Sequence, residues 1–176
     1  MADLQPFADT FLRLFQEHRF VHAGNESICS LTLQDAYQVQ QMVIDARIRS
    51  GEQVAGYKVG CTSDAIRQQF GLSESICGRL MDPHITWGDA VLDHSGFFDC
   101  AVEPEFVLMI GRDLADEVGD EDNLTAAIDF VSPGIELHNY RFWFGEPTSQ
   151  ELVAANGIHA GLVVGDQKVG PGSFDW

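Results

Sequence analysis

The stretch Ala101–Gly111, AVEPEFVLMIG, places two carboxylates, Glu103 and Glu105, directly before a run of apolar residues. In a strand, side chains two residues apart project to the same face, so both glutamates would lie side by side while Pro104 faces the other way. Neighbouring carboxylates repel, and holding them beside apolar residues costs free energy unless a cation or strong donors lie between them. The stretch therefore predicts either a divalent-cation site or the solvated face of an edge strand, where proline discourages further pairing.

The composition limits the class of protein. A chain of 176 residues with 45% hydrophobic and 21% charged residues is long enough for one globular domain with its own core. The formal charge of −17 and the pI near 4.4 argue against nucleic acid or an anionic membrane, because such partners bind clustered lysine and arginine. No segment approaches the roughly 18 consecutive apolar residues of a membrane helix, and the N-terminus lacks signal-peptide features. We therefore expect a soluble, cytoplasmic protein with no nucleic-acid or membrane partner.

The cysteines Cys29, Cys61, Cys77 and Cys100 are widely spaced and form no C-x-x-C pair. Neither a disulfide framework nor a structural zinc site is indicated. Free thiols in a reducing compartment agree with a cytoplasmic location.

Helical periodicity dominates the N-terminal part of the chain. Apolar residues between Leu4 and Phe15 recur three and four apart and predict an amphipathic helix that ends near residue 18. Thr32 and Asp35 resemble a capping box that opens a second helix, and Gly51 provides its stop. Short strands joined by turns predominate afterwards. We predict one α+β domain over residues 1–176, with a helical part at 1–51 and a β-rich core at 52–176.

Lys58 lies in the segment VAGYKVGC, residues 54–61, which alternates in the manner of a strand. Val54, Gly56, Lys58 and Gly60 would share one face, and two glycines on that face admit close approach of a ligand or of another backbone. The alternative is a lysine that snorkels at the surface. Lys58 is therefore either a functional residue or a solvated one.

A third carboxylate lies further along the chain. We predict a helix at Leu124–Val131, capped by Asn123 and ended by Pro133, and then a strand with Glu136 and His138 on one face. Apolar neighbours flank Glu136, so it has no obvious access to solvent. The next segment, EPTSQELVAANG, is predicted to be polar and irregular, and HAGLVVG is predicted to be another strand.

Four segments together resemble a known family. They are GYKVGCTS at 56–63, GRLMD at 78–82, AVEPEFVLMIGRDL at 101–114 and SPGIELHNYRF at 132–142. In order and spacing they are similar to the 2-keto-4-pentenoate hydratase and 4-oxalocrotonate decarboxylase group of the fumarylacetoacetate hydrolase superfamily. The resemblance implies a mixed β-roll with N-terminal helices and a homo-oligomeric assembly.

The resemblance also implies one divalent cation, Mg²⁺ or Mn²⁺, held by Glu103, Glu105 and Glu136. A glutamate at the third position resembles the hydratases and decarboxylases, whereas an aspartate is more usual in the hydrolases that cleave carbon–carbon bonds. The family's lysine matches Lys58, which would lie beside a small-molecule 2-oxo acid substrate chelated by the cation.

Other matched positions give further candidate site residues. Asp82 matches an acidic catalytic position, although an Asp-Pro pair is also ordinary turn chemistry. His159 stands where hydratases have other polar residues, and it is either catalytic or satisfied by the backbone. Asn156 and Arg141 are candidate substrate-binding residues, and Arg141 is preferred to His138 because its planar fork suits a carboxylate.

The favoured function is a metal-dependent lyase that hydrates a 2-hydroxy-dienoate or 2-oxo-alkenoate released in aromatic-ring breakdown. The alternatives are decarboxylation of an oxalocrotonate-like diacid, carbon–carbon bond hydrolysis, and a metal-binding homologue without catalysis. Ile76 favours decarboxylation, because hydratases commonly carry an acidic residue there and an apolar pocket assists loss of carbon dioxide. Family members also extend further, so we expect the fold to be incomplete at the C-terminus.

Overall fold

The computed structural model describes residues 3–17, 28–114, 121–139 and 147–174, and within them the chain has an α+β architecture, as predicted. The helices are α1 Gln5–Glu17, α2 Leu33–Arg49, α3 Asp64–Phe70, α4 Glu121–Ala127 and α5 Ser149–Ala154. The strands are β1 Val54–Gly60, β2 Ile76–Met81, β3 Ile85–Trp87, β4 Cys100–Ile110, β5 Ile128–Asn139 and β6 His159–Val164. None of the described helices combines the length and apolar character needed to span a bilayer.

Helices α1, α2 and α5 pack over the main hydrophobic core. The predicted capping box of α2 is present, because the Asp35 N–H donates to the Thr32 hydroxyl at 3.1 Å and the Thr32 N–H donates to the Asp35 carboxylate at 3.1 Å. Fully burying a leucine- or valine-sized side chain contributes roughly 1.5–3 kcal/mol, so the core holds these helices together. Its helical members are Ala8, Phe11, Leu14, Ala36, Val39, Val43, Leu152, Val153 and Ala154.

The strands form two sheets. β1 and β2 make an antiparallel pair in which Lys58 lies opposite Gly78. The other sheet has the order β3-β6-β5-β4, with β3 parallel to β6 and the other pairs antiparallel, so it is mixed. Within the described residues β4 has one neighbouring strand. It is therefore an edge strand, which agrees with the presence of Pro104 in it.

The pairing of β4 with β5 brings the carboxylates together. Glu103 lies opposite Glu136, and Glu105 lies opposite Gly134 on the same face. Directly opposite residues of an antiparallel pair have Cβ atoms about 4.5–5.5 Å apart, and like charges in such positions destabilise the pair. The register alone thus creates a concentration of negative charge that needs a positive partner.

The helix predicted at Leu124–Val131 is wrong. Helix α4 ends at Ala127, so Asn123 lies inside it, and β5 begins at Ile128. Pairing with β4 decides the conformation, because Ile128 lies opposite Ile110 at the end of an antiparallel ladder that covers the full length of both strands. Tertiary pairing with β4 therefore outweighed the local helical periodicity of these residues.

Pro133 does not end a helix but lies within β5. Its carbonyl accepts a hydrogen bond from the Gly165 N–H at 2.8 Å, so this part of the backbone faces away from β4. The N–H and C=O of one residue point to the same side of a strand. The nitrogen of Pro133, which carries no hydrogen, therefore faces the side of β6 and not β4, at a level beyond the last residue of β6, Val164. No hydrogen bond to β4 is lost.

The segment predicted to be irregular contains α5. The Glu151 N–H donates to the Thr148 hydroxyl at 3.2 Å and the Thr148 N–H donates to the Glu151 carboxylate at 2.7 Å, which makes a second capping box. The T-x-x-E spacing carries this signal in the sequence. Helix α5 buries Leu152 and Val153 in the core and delivers the chain to β6.

Candidate active site

A cavity of about 360 Å³ is lined by residues from both sheets, from α3 and from the turn between α5 and β6. One wall carries ionisable groups from β1, β4 and β5: Lys58, Glu103, Glu105, Glu136 and His138. The sequence assigned the lysine and the three glutamates to one site, and they meet in this cavity. Their individual roles stay predictions.

The face of β1 that lines the cavity carries Lys58 and Gly60. Val54 does not share this face as predicted, because a register shift between Val54 and Gly56 interrupts the alternation. The partner strand leaves room for the lysine, since a Cβ atom on Gly78 would lie 3.0 Å from Lys58 Cγ. The absent side chain at Gly78 thus lets the aliphatic stem of Lys58 pass across β2.

The Lys58 ammonium forms an ion pair with the Glu136 carboxylate of the other sheet. It also lies 3.5 Å from His138 Nε2 and donates to the Gly157 carbonyl oxygen at 3.4 Å. Only 9% of the Lys58 side chain is exposed, so it is not a solvated surface lysine. Breaking a buried ion pair by removing one partner typically costs about 3–5 kcal/mol, so Lys58 and Glu136 depend on each other.

Glu136 contacts two histidines in addition to Lys58. One of its oxygens lies 2.6 Å from His159 Nδ1, and the other lies 3.3 Å from His138 Nε2. Burial opposes its ionisation, but the hydrogen bonds from His138 and His159 and the charge of Lys58 hold the pKa of Glu136 well below its ordinary value. Glu136 is therefore an anion at neutral pH.

His159 is buried behind Glu136 and does not line the cavity. Burial lowers the pKa of His159, although its hydrogen bond to Glu136 acts in the opposite direction. The neutral ring then donates from Nδ1–H to Glu136, and Nε2 has no hydrogen-bond partner among the described residues. This position favours a role in orienting Glu136 over direct contact with substrate.

Glu103 and Glu105 enter the cavity from the edge strand. The Glu103 side chain is 57% exposed and lies 3.6 Å from His138 Nδ1, so the expectation of a solvated face holds for this residue. Burial raises the pKa of Glu105, and repulsion from Glu136 and Glu103 raises it further. Ionising Glu105 beside two other carboxylates is unfavourable, and a bound cation would offset this repulsion.

The donor set fits a hard divalent cation. Single ligand atoms of Glu103, Glu136 and His138 all lie within 4.8 Å of one another, and Glu105 lines the same cavity. Carboxylate oxygens are the protein ligands that Mg²⁺, Mn²⁺ and Ca²⁺ prefer. His138 lies 3.3 Å from the Glu136 carboxylate and so helps to orient it, and it lies 3.6 Å from Glu103.

The turn between α5 and β6 has unusual backbone geometry beside Lys58. Asn156, Gly157 and Ile158 have φ values of 58°, 64° and 54°. A left-handed conformation is rare for a β-branched residue such as Ile158, and strain of this kind clusters at functional sites. The turn delivers the Gly157 carbonyl to the Lys58 ammonium.

Asn156 holds this turn against β2. Its side-chain oxygen accepts from the Arg79 N–H at 2.7 Å, and its side-chain nitrogen donates to the Arg79 carbonyl at 2.8 Å. The side chain is almost completely buried, at 1% exposed. Both ends of the amide are engaged by backbone, which favours a structural role for Asn156 over the predicted contact with substrate.

The remaining predicted residues lie elsewhere. Asp82 is exposed and does not line the cavity; its carboxylate accepts from the Gln53 N–H at 2.8 Å and fastens the start of β1 to the end of β2. That contact agrees with turn chemistry. Arg141 lies outside the described residues. His138, which the sequence ranked below Arg141, is in the cluster, and its spacing two residues from Glu136 on one strand was the available signal.

No protein-family model matches the chain. Over 169 residues it is 28% identical to a 2-keto-4-pentenoate hydratase of Paraburkholderia xenovorans (strain LB400), an alignment that covers 96% of this chain and 62% of that protein. Over 136 residues it is 30% identical to a 4-oxalocrotonate decarboxylase of Pseudomonas sp, which covers 77% of this chain and 53% of that protein. The chain is homologous to these hydratases and decarboxylases. The resemblance indicated by its motifs is thereby confirmed.

A solved structure has the same fold. The chain matches 4-oxalocrotonate decarboxylase from Pseudomonas putida G7, complexed with magnesium and adipate, with a TM-score of 0.89 and 22% identity over 98% of this chain and 65% of that chain. At this identity the likeness shows the fold alone. The chain spans 62% of the length of the hydratase that it matches.

Proposed function

We propose that this chain forms the metal-binding, lysine-bearing part of a lyase that hydrates a 2-hydroxy-dienoate or 2-oxo-alkenoate of the 2-keto-4-pentenoate type. The observation that carries the proposal is the meeting of Lys58 with Glu103, Glu105 and Glu136 in one cavity. Homology to a 2-keto-4-pentenoate hydratase supports the substrate class.

Glu103, Glu105 and Glu136 would hold one divalent cation, Mg²⁺ or Mn²⁺. When bound, the cation supplies positive charge for the carboxylate and keto oxygens of a 2-oxo acid and stabilises negative charge that develops on the keto oxygen. His138 and His159 hold Glu136 from two sides, so the carboxylate keeps one orientation.

Lys58 would move the proton that the reaction requires. Hydration of a conjugated dienol places new protons on carbon, so a proton donor must lie within the cavity. The Lys58 ammonium carries a proton at Nζ and points at the same carboxylate that would hold the cation. The Gly157 carbonyl fixes the position of Nζ, because it accepts one of the ammonium hydrogens.

A second candidate is decarboxylation of an oxalocrotonate-like diacid. Ile76 supports it, because this buried side chain lines the cavity at a position where hydratases commonly carry an acid. Homology to a 4-oxalocrotonate decarboxylase is equally compatible with this chemistry.

The direct test is turnover of 2-hydroxypenta-2,4-dienoate in the presence of MgCl₂, which is measured as the loss of the dienol absorbance. Lys58→Met should reduce the rate by about 10²–10⁴, the usual contribution of a proton-transfer group. Lys168→Met is the matched control, because Lys168 lies over the Phe130 ring and does not line the cavity. Release of carbon dioxide from 4-oxalocrotonate would favour the second candidate, and inactivity toward both compounds would refute the proposal.

A cytoplasmic homo-oligomer is also proposed. The free thiols of Cys61, Cys77 and Cys100 support the location. The oligomer rests on the family resemblance, and sedimentation of the purified chain would test it.

A further inference from the structure

His138 places its two ring nitrogens beside two different carboxylates of the cavity. Nε2 lies 3.3 Å from Glu136, and Nδ1 lies 3.6 Å from Glu103. Only 7% of the His138 side chain is exposed, so water has little access to the ring. Both nitrogens must therefore find their partners within the cavity.

Neither protonation state of the ring suits all of its charged neighbours. An uncharged imidazole carries a hydrogen on one nitrogen and a lone pair on the other, so one of the two carboxylates faces a lone pair. A ring with hydrogens on both nitrogens is positively charged, and the Lys58 ammonium lies 3.5 Å from Nε2. A cation that is bound by the free nitrogen and by a carboxylate oxygen removes the repulsion between the two lone pairs.

The histidine also belongs to the donor set that the fold brings together. Ligand atoms of Glu103, Glu136 and His138 all lie within 4.8 Å of one another, and among the described residues Glu105 is not part of this group although it lines the cavity. The donor set thus contains imidazole nitrogen as well as carboxylate oxygen. Mg²⁺ prefers oxygen ligands, whereas the affinity of a mixed nitrogen and oxygen site rises along the transition series from Mn²⁺ to Co²⁺.

We propose that one ring nitrogen of His138 is a ligand of the bound cation, together with carboxylate oxygens. The site consequently binds a divalent transition ion more tightly than Mg²⁺, and of Mg²⁺ and Mn²⁺ it favours Mn²⁺. The inference rests on the proposed function, because that proposal places a cation in this cavity. His138 then contacts the ion directly, in addition to its contact with Glu136.

Calorimetry with CoCl₂ and MgCl₂ on the purified, metal-free chain measures the contribution of His138. His138→Gln keeps a side-chain N–H that can donate to Glu136, but its amide nitrogen offers no lone pair to a metal. We expect this variant to bind Co²⁺ more weakly by about tenfold or more, and Mg²⁺ by less than about threefold. His159→Gln is the matched control, because His159 also contacts Glu136 but does not line the cavity. It should change both affinities by the same factor.

Pulsed EPR of the Mn²⁺ complex tests the same contact without a variant. A directly bound imidazole couples its nitrogen to the electron spin of Mn²⁺, and this coupling should change when histidine is labelled with ¹⁵N. Absence of nitrogen coupling, or a ratio of Co²⁺ to Mg²⁺ affinity that His138→Gln leaves unchanged, would overturn the ligand role and leave His138 as a residue that orients Glu136. Failure of Mg²⁺, Mn²⁺ and Co²⁺ to bind would overturn the proposed function as well.

Discussion

Replacing Asn156 by alanine separates a structural role from a role in substrate binding. The substitution removes two hydrogen bonds to the Arg79 backbone, at 2.7 and 2.8 Å. Each is worth about 1 kcal/mol net. Alanine also tolerates the left-handed backbone at φ 58° less well than asparagine, which adds roughly 1 kcal/mol. We therefore expect Asn156→Ala to lower the free energy of unfolding by about 3 kcal/mol, a large part of the roughly 5–15 kcal/mol of a typical domain.

Urea denaturation followed by circular dichroism measures this loss. Asn139→Ala is the control, because Asn139 is also buried but accepts only one described hydrogen bond, from the Phe98 N–H at 2.9 Å, on ordinary strand backbone. Its expected cost is about 1 kcal/mol. If Asn156→Ala proves no less stable than Asn139→Ala and instead weakens substrate binding, then the role of Asn156 is not to hold the turn against β2.

Two further substitutions test the packing and the charge of the cavity. Gly78→Ala should lower the free energy of unfolding by about 1–3 kcal/mol and reduce turnover, because its Cβ would lie 2.8 Å from the Asn156 side-chain oxygen. Gly56→Ala is the control and should be neutral, because its nearest contact is a flexible leucine side chain at 3.4 Å. Equal thermal unfolding midpoints for Gly78→Ala and Gly56→Ala would contradict this prediction. Glu105→Gln should raise the free energy of unfolding at pH 7 when EDTA removes divalent cations. The pKa of Glu105 is raised in the folded protein, so the wild type loses stability as the pH rises through that pKa, and glutamine cannot ionise. The advantage should shrink as the pH falls toward 4 and glutamate becomes protonated, and a difference that does not change with pH would rule out charge as its cause.

Local sequence patterns predicted the parts of the site that lie within single elements. The stretch Ala101–Gly111 was treated as a strand and corresponds to β4, and the shared face of Glu103 and Glu105 follows from the period of a strand. The ion pair between Lys58 and Glu136 joins two different sheets, so no local pattern contains it. Only the family resemblance placed these groups in one site.

Two of the errors come from contacts between distant parts of the chain, and a third comes from a local signal. The residues after Ala127 have apolar spacing compatible with a helix, and pairing with β4 made them a strand. His138 was ranked below Arg141 because guanidinium geometry was weighed without knowing which groups the strand register brings together. The capping box of Thr148 and Glu151 was a local signal that the polar composition of the segment obscured.

The central claim is that Lys58 and the carboxylates act together on a 2-oxo acid. Proton NMR of 2-oxopentanoate in D₂O measures this directly, since enolisation exchanges the C3 hydrogens for deuterium. We predict exchange by the wild type and by Lys168→Met that depends on MgCl₂, and its loss in Lys58→Met. Exchange that persists in Lys58→Met, or that needs no divalent cation, would contradict the account.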